Sequence, residues 1–347
     1  MSSPSQKALF IPSKQAAFAV ASTGVPTPAA GELLVKIQAA GLNPIDWKIQ
    51  KYGFAVETYP AIIGSEFSGT VEAVGEGVTS FQKGDRVACA GKWVNDYSAF
   101  QQFALAAADF TAKLPPSISF DQAASVPVGV ATAAIGLYQT ADFGAGLTAP
   151  WEQGGKGKYE GKPLLVLGGA GSVGSYAIQF AKLSGFSPII ATASLHNSAH
   201  LKSLGATHVI DRHLDTLLLC EEIAKITSVP IEVVFDAVGG PQTQQSGVDV
   251  LAPGGVIASV AQSKLGDAVG DGKSVKSIFA SPFHPHNRDV AVGFASELTA
   301  YLESGDIQPN RIEVLAGGLS GVADGLARLQ DGKVSGVKLI VRPQEAV

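Results

Sequence analysis

The stretch Lys162–Phe186, KPLLVLGGAGSVGSYAIQFAKLSGF, constrains the fold more than any other part of the chain. Its apolar run Leu164–Leu167 has the length of a buried strand. Glycines at 169, 171 and 174 follow in G-x-G-x-x-G spacing, and then Val173, Ala177, Ile178 and Ala181 recur at helical spacing. Strand, glycine turn and helix in that order are the context in which this spacing marks a dinucleotide site. Gly169 is expected to permit the tight turn, Gly171 the approach of a pyrophosphate, and Gly174 the close packing of helix on strand. The turn Gly169, Ala170, Gly171, Ser172, Val173, Gly174 is therefore the candidate phosphate cradle, backed by the positive end of a helix dipole. A nucleoside-triphosphate loop fits worse, because Ser175 and Tyr176 follow Gly174 where Lys and Ser or Thr would stand. A ligand-free glycine loop is the bland alternative, and the flanking elements speak against it.

With 347 residues there is room for two domains with good cores. Only 16% of residues are charged and 46% are apolar, which excludes a disordered chain. A net charge of −5 leaves no basic footprint for nucleic acid or an anionic membrane. Cys89 and Cys220 are too few for a disulfide framework, so a reducing compartment is expected. The start, MSSPSQKALFIPSK, lacks a long apolar segment, and no run is read as a membrane span. The expectation is a soluble, cytoplasmic protein with a small-molecule substrate.

The N-terminal part reads as short strands between glycine and polar turns: Ala8–Ile11, Ala17–Ala21, Glu32–Ala39, then Gly64–Gly75, GDRVACA and FQQFALAAADF. An irregular, barrel-like β domain is expected from Lys7 to about Leu114. Ser119 and Asp121 can cap a helix carrying Ala123 and Ala124, and Val130–Tyr138 reads as an Ala-rich helix. The Gly-rich segment Asp142–Gly161, with Trp151 and Tyr159, reads as a flexible or substrate-facing loop. From Lys162 strands and helices alternate. The strands are Leu164–Leu167, Pro188–Ala193, His208–Asp211, Glu232–Ala237, Val256–Val260 and Val275–Phe279, with helices at Leu214–Ile226 and Gln242–Leu251. Such alternation predicts an α/β, doubly wound parallel sheet. Helix Asp289–Ser304, a strand near Ile312–Leu315, helix Ser320–Gln330 and strand Val337–Val341 end the chain. The tail is expected to return to the N-terminal domain, making the nucleotide domain an insertion.

An NAD site usually places an acid about twenty residues past the glycines, on the ribose 2′-hydroxyl. Here that point reads ATASLHNSAH, with Ser194 and no acid from Ile189 to His200. Small polar groups leave room for a 2′-phosphate, and its candidate partners are Ser194, His196, Asn197, Lys202 and Arg212. NADPH is the expected cofactor. His196 and His200 could instead be a metal pair, but no Cys or carboxylate joins them.

Seven segments carry a resemblance: GLNPIDWK, GSEFSGTVEAVGEGVTSFQKGDRV, AASVPVGVATAAIGLY, VLGGAGSVG, LKSLGATHVID, VVFDAVGG and GKVSGVKLIV. In this order, from Lys7 to Arg342, they resemble the medium-chain dehydrogenase/reductase superfamily. The resemblance implies a GroES-like β-rich catalytic domain from residues 1–127 and 283–347, and an inserted Rossmann domain over 128–282. It also shows departures from the zinc alcohol dehydrogenases of that superfamily. Their Gly-His-Glu metal motif is Gly64-Ser65-Glu66 here, their first Cys ligand falls at about Asn43 and their third near Val128. Their four-cysteine structural cluster is missing as well, so no zinc site is expected. His284 and His286 read as a loop-surface pair.

The zinc-free branches that keep G-x-NP-x-D include quinone oxidoreductases, enoyl reductases and enone or alkenal reductases. NPIDWK, the Gly/Trp segment and TAS-x-HN resemble the fungal stand-alone subgroup, which includes trans-acting enoyl reductases serving polyketide synthases and the ToxD-like proteins. What this resemblance implies is Lys48 as the active-site lysine and Thr132 at the nicotinamide half. It further implies cofactor contacts from Asn43, Pro44, Ser172, Val173, Ser194 and Asn197, from the backbone near Val238 and Gly239, and a possible synthase partner. The chemistry would be hydride transfer to the β-carbon of an electron-poor C=C, with charge developing on the conjugated oxygen. Lys48, or a ribose hydroxyl it orients, would meet that charge; the α-carbon proton would come from Lys48, Tyr52, Tyr59 or water. Asp46 and Glu66 are expected to hold the backbone of this domain rather than perform acid–base work, with a perturbed carboxylate as the alternative. A quinone reductase and a catalytically idle NADPH-binding protein are the alternatives.

Overall fold

The computed structural model describes residues 4–266 and 269–345. The outermost residues of the expected terminal boundaries, 1–3 and 346–347, lie outside the described residues. In chain order the first part holds β1 (Ser5–Ile11), β2 (Ala19–Gly24), β3 (Glu32–Gly41), α1 (Pro44–Tyr52), β4 (Ala61–Ile62), β5 (Glu66–Val74), β6 (Arg86–Ala90), β7 (Phe103–Ala107), β8 (Thr111–Lys113) and α2 (Phe120–Ala123). The middle holds α3 (Pro127–Tyr138), β9 (Leu164–Leu167), α4 (Ser172–Leu183), β10 (Ile189–Ala193), α5 (Ser198–Leu204), β11 (His208–Asp211), α6 (Thr216–Ile226), β12 (Val233–Asp236), α7 (Pro241–Val250), β13 (Val256–Ser259) and β14 (Ser274–Ser277). The end holds α8 (Arg288–Ser304), β15 (Ile312–Val314), α9 (Val322–Gln330) and β16 (Lys338–Val341).

Two compact units result. One takes the chain up to Val128, Leu298–Glu303 and everything from Pro309 on; the other takes Gly129–Glu297 and Ser304–Gln308. The strand order β11-β10-β9-β12-β13-β14 in the second unit is all parallel and doubly wound about β9. Its strands β9, β10 and β12 are buried end to end, as a sheet covered on both faces requires. The first unit contains the order β15-β16-β3-β5-β6-β8, with β7 on β3, and a small sheet β2-β1-β4. Its core gathers Leu33, Val35, Ile37, Phe67, Val87 and Phe100 with Leu319, Leu326 and Leu339 from the other end of the chain. The C-terminal strand β16 lies antiparallel on β3, Ile340 opposite Gly41. The chain's two ends thus share one sheet.

Two expectations shift. Residues 283–297, expected with the terminal unit, pack with the nucleotide unit. Gln139 Nε2 donates to the His286 carbonyl and to Asn287 Oδ1, and Trp151 lies against Phe294. The Asp142–Gly161 segment is a packed strap within its own unit. Trp151 stands edge-on to Tyr138 and Phe180, centroids 5.1 and 6.1 Å away, and Tyr159 stacks on Phe186 at 4.8 Å. Aromatic burial of this size outweighs the conformational freedom of the glycines between. A third reading needs correcting too: the helical run Phe120–Tyr138 is long and apolar enough to cross a membrane. It is 78% buried inside the fold, the mark of a core helix.

Candidate active site

In the nucleotide unit, β9 delivers the chain into the glycine turn. The left-handed residue of that turn is Gly168 (φ +79°), not Gly169 as read from the spacing. Gly169 is demanded by packing, since a Cβ there would meet Ala191 Cβ at 2.9 Å. Gly174 behaves as expected: a Cβ would stand 2.3 Å from the Gly168 carbonyl oxygen, so only glycine lets α4 descend onto the turn. Gly171 is the N-cap of α4, exposed and without a side-chain cap, and a Cβ on it would meet nothing closer than 3.4 Å. Ala170, Ser172 and Val173 lie around this open helix end. Thr192 on β10 pins the turn, its Oγ1 accepting from Gly168 N (3.1 Å) and its carbonyl from Gly169 N (2.9 Å). A glycine cradle, an uncapped helix start and the C-terminal edge of a parallel sheet fit a dinucleotide phosphate.

At the end of β10, Ser194 is half-buried and leads into a single 3-10 turn, Leu195–Asn197. His196 is exposed and sits 3.1 Å from the buried Asn197 Nδ2. The register Ala193↔Asp211 brings β11 alongside, and Arg212 N donates to the Ala193 carbonyl (3.1 Å). Arg212 is thereby fixed beside Ser194 by backbone, with its side chain exposed. The nearby acid, Asp211, is held by His213, whose backbone N–H and Nδ1 reach Oδ1 at 3.0 and 2.8 Å. These bonds keep its carboxyl below the usual range. At the end of β12, Asp236 Oδ1 accepts from both Val238 N (3.1 Å) and Gly239 N (3.0 Å). Of that backbone only the carbonyls and the exposed Val238 side chain are left for a ligand. Thr132 is buried within α3.

In the other unit, Lys48 lies on α1, a helix that the strand-by-strand reading left unassigned. Its signals stand in the sequence: Asn43 at the N-cap, Pro44 at the first position, Asp46 at the third, and Gly53 (φ +66°) closing it. Only half of a capping box forms. Asp46 Oδ2 accepts from Asn43 N (2.8 Å), whereas the Asn43 side chain turns away into the core. There Asn43 Nδ2 donates to Glu66 Oε1 (2.9 Å) and Lys338 Nζ donates to Asn43 Oδ1 (2.6 Å). Lys338 Nζ also lies 2.5 Å from Glu66 Oε1, and Val128 N donates to Glu66 Oε2 (2.8 Å). All four polar side chains, Asn43, Asp46, Glu66 and Lys338, are buried. A Cβ on Gly41 would be 2.5 Å from the Ala124 carbonyl oxygen and 2.8 Å from Glu66 Oε1, which explains the glycine of GLNP. Lys48 is exposed, its Nζ 5.8 Å from the Trp47 ring centroid. Lys338 was missed in the sequence, although it stands inside the quoted GKVSGVKLIV.

The donor set does not suit zinc. Asn43, Ser65 and Val128 offer no thiolate or imidazole at the three compared positions, and Asn43 and Glu66 are engaged by Lys338. Among the described residues no three His, Cys, Asp or Glu side chains converge as a metal site needs.

Residues 29–116 match the family described as alcohol dehydrogenase GroES-like domain, and residues 172–295 match zinc-binding dehydrogenase. Dehydrogenase pigH of Monascus ruber is 40% identical over 219 residues, 60% of this chain but only 58% of that protein. The trans-enoyl reductase grgB of a Penicillium species is 31% identical over 91% of this chain and 92% of its own length. The quinone oxidoreductase of Coxiella burnetii superposes with a TM-score of 0.75 at 27% identity, covering 98% of this chain and 99% of its own. Mycobacterial Rv1454c complexed with NADPH gives 0.75 at 26%, covering 97% and 100%. The chain belongs to the medium-chain dehydrogenase/reductase superfamily and is an oxidoreductase of that class.

Proposed function

We propose that this oxidoreductase takes NADPH and reduces the activated C=C of an α,β-unsaturated carbonyl or thioester. The observation that carries the cofactor choice is the end of β10. Ser194 stands there in place of an acid, and Arg212 is fixed next to it by the Arg212 N to Ala193 O bond. A 2′-phosphate meets a hydroxyl and a guanidinium, and the carboxylate of Asp211 is occupied by His213. The superposed Rv1454c complex with NADPH supports the same choice.

When bound, NADPH supplies the hydride. The chain's own share is to place a cation where negative charge develops, which is usually the largest catalytic contribution. Lys48, on a helix whose start is held by buried hydrogen bonds, is the residue we assign to that charge. The name of the relative grgB supports an enoyl acceptor; the Coxiella neighbour's name keeps a quinone acceptor in the test.

That test is NADPH consumption, with NADH as control, on crotonyl thioester, an enone, an enal and a simple quinone, each with product analysis. Saturated thioester or ketone is the expected product. Turnover with quinone alone would replace the acceptor, and tight NADPH binding without any turnover would mean a binding protein.

A further inference from the structure

The buried group around the start of α1 holds two carboxylates, Asp46 and Glu66, and one ammonium, Lys338. Fully ionised, it would carry a net negative charge in the core, a costly arrangement that one bound proton removes. The hydrogen bonds say which carboxylate takes it. Glu66 is met by three donors: Lys338 Nζ, Asn43 Nδ2 and Val128 N. Asp46 is met by one, Asn43 N on Oδ2, while its Oδ1 is buried with no hydrogen-bond partner. A buried carboxyl with one oxygen unmet costs less as the neutral acid than as an anion. Ser65, whose Oγ accepts from Trp93 Nε1 (2.9 Å), acts on this carboxyl only weakly and in favour of the anion.

We infer that this cluster stores one proton on Asp46, and that the proton fixes the start of α1, the helix that carries Lys48. Asp46 is then a positioning residue, acting through α1. The charged groups that act on it are Glu66 from β5 and Lys338 from β16. Burial, the largest influence, and the Glu66 charge favour the neutral acid; the Asn43 N–H, Lys338 and, least, Ser65 oppose it. The balance leaves its pKa at about 7. Above neutrality the proton leaves, a second buried anion faces one ammonium, and the helix start is strained. The role of Lys48 rests on the reductase reading above; the stored proton does not.

The experiment compares the wild-type chain with Asp46→Asn, whose amide keeps the shape and neutrality of the acid. In thermal unfolding from pH 5 to 9, the variant should gain on wild type as pH rises towards 7 and hold a constant lead beyond. Infrared difference spectra with labelled aspartate should show an un-ionised carboxyl at pH 6 that is gone at pH 9, which needs no variant should Asp46→Asn misfold. With an accepted substrate, the ratio of variant to wild-type kcat should rise by about tenfold between pH 6 and 8. Parallel stability curves, or no un-ionised aspartate at pH 6, overturn the stored proton. A pH-dependent stability lead with parallel rate profiles overturns the positioning of Lys48. Inactivity on every acceptor would sink the reductase reading and leave the first two measurements decisive.

Discussion

At the residue scale the candidate chemistry rests on a few side chains whose surroundings differ sharply. Lys48 is exposed on α1, whereas Lys338 is sunk among acceptors. Lys48→Ala should lower kcat by about 10²-fold or more, the usual worth of a group that meets developing charge or moves a proton. NADPH affinity should barely change; wild-type turnover in that variant, measured by steady-state kinetics, would remove the role. Ser194→Asp puts an anion where we place the 2′-phosphate and should weaken NADPH far more than NADH, as titration calorimetry would show. Asp46 carries the pH prediction. Its folded pKa, about 7, lies above the ordinary 3.8, so native protein binds the extra proton between those values. Stability therefore falls as pH rises from about 4 to 7, by at most about 4 kcal/mol, and is flat above. Urea unfolding across that window checks the sign.

At the scale of elements, two joints decide whether the site exists. The first is the descent of α4 onto the glycine turn. Gly174→Ala drives a methyl to 2.3 Å from the Gly168 carbonyl, so helix and strand must part. A loss of roughly 1–3 kcal/mol is expected from such overpacking, with dinucleotide binding weakened beyond detection by fluorescence. The second joint is β16 against β3 and β5, pinned by Lys338. Glu66→Gln should cost roughly 3–5 kcal/mol by leaving the buried ammonium half-paired. Glu66→Gln with Lys338→Met should cost less than the two single changes added together, a non-additivity that denaturant melts of the four proteins can measure. The packed Trp151 strap belongs at this scale too: composition suggested a flexible or substrate-facing loop, but the rings of Tyr138, Phe180 and Phe294 hold Trp151 within its own unit.

At the scale of the whole molecule, the fold is one chain leaving a β unit, building a parallel α/β unit, and returning. The nucleotide unit was legible because its signals are local. Four-residue apolar runs, a glycine turn and helical spacing each act within twenty residues, and β9, β11 and α4 appear where those patterns place them. The parallel, doubly wound character of the sheet was implied by the alternation, since parallel strands need crossover helices. The β unit was legible only as a string of strands; α1 escaped because its cap signals, Asn43, Pro44 and Asp46, sit between glycine-rich strands. If NADPH binds native protein as proposed, a hundredfold excess over Kd stabilises it by about 2.7 kcal/mol, and NADH at equal concentration by less. Equal shifts in melting temperature for the two would contradict the cofactor choice.

By itself the sequence determined the order of elements in the nucleotide unit, the glycine cradle and the absence of an acid at Ser194, because each depends on neighbours along the chain. Tertiary structure alone decided that Lys338 and Asn43, 295 positions apart, share a hydrogen bond. It also decided that Asp46 is left with a bare oxygen, and that Arg212 stands beside Ser194. Periodicity reports which face of an element is apolar. Which buried charge meets which depends on strand pairing across the whole chain, and no local pattern records that.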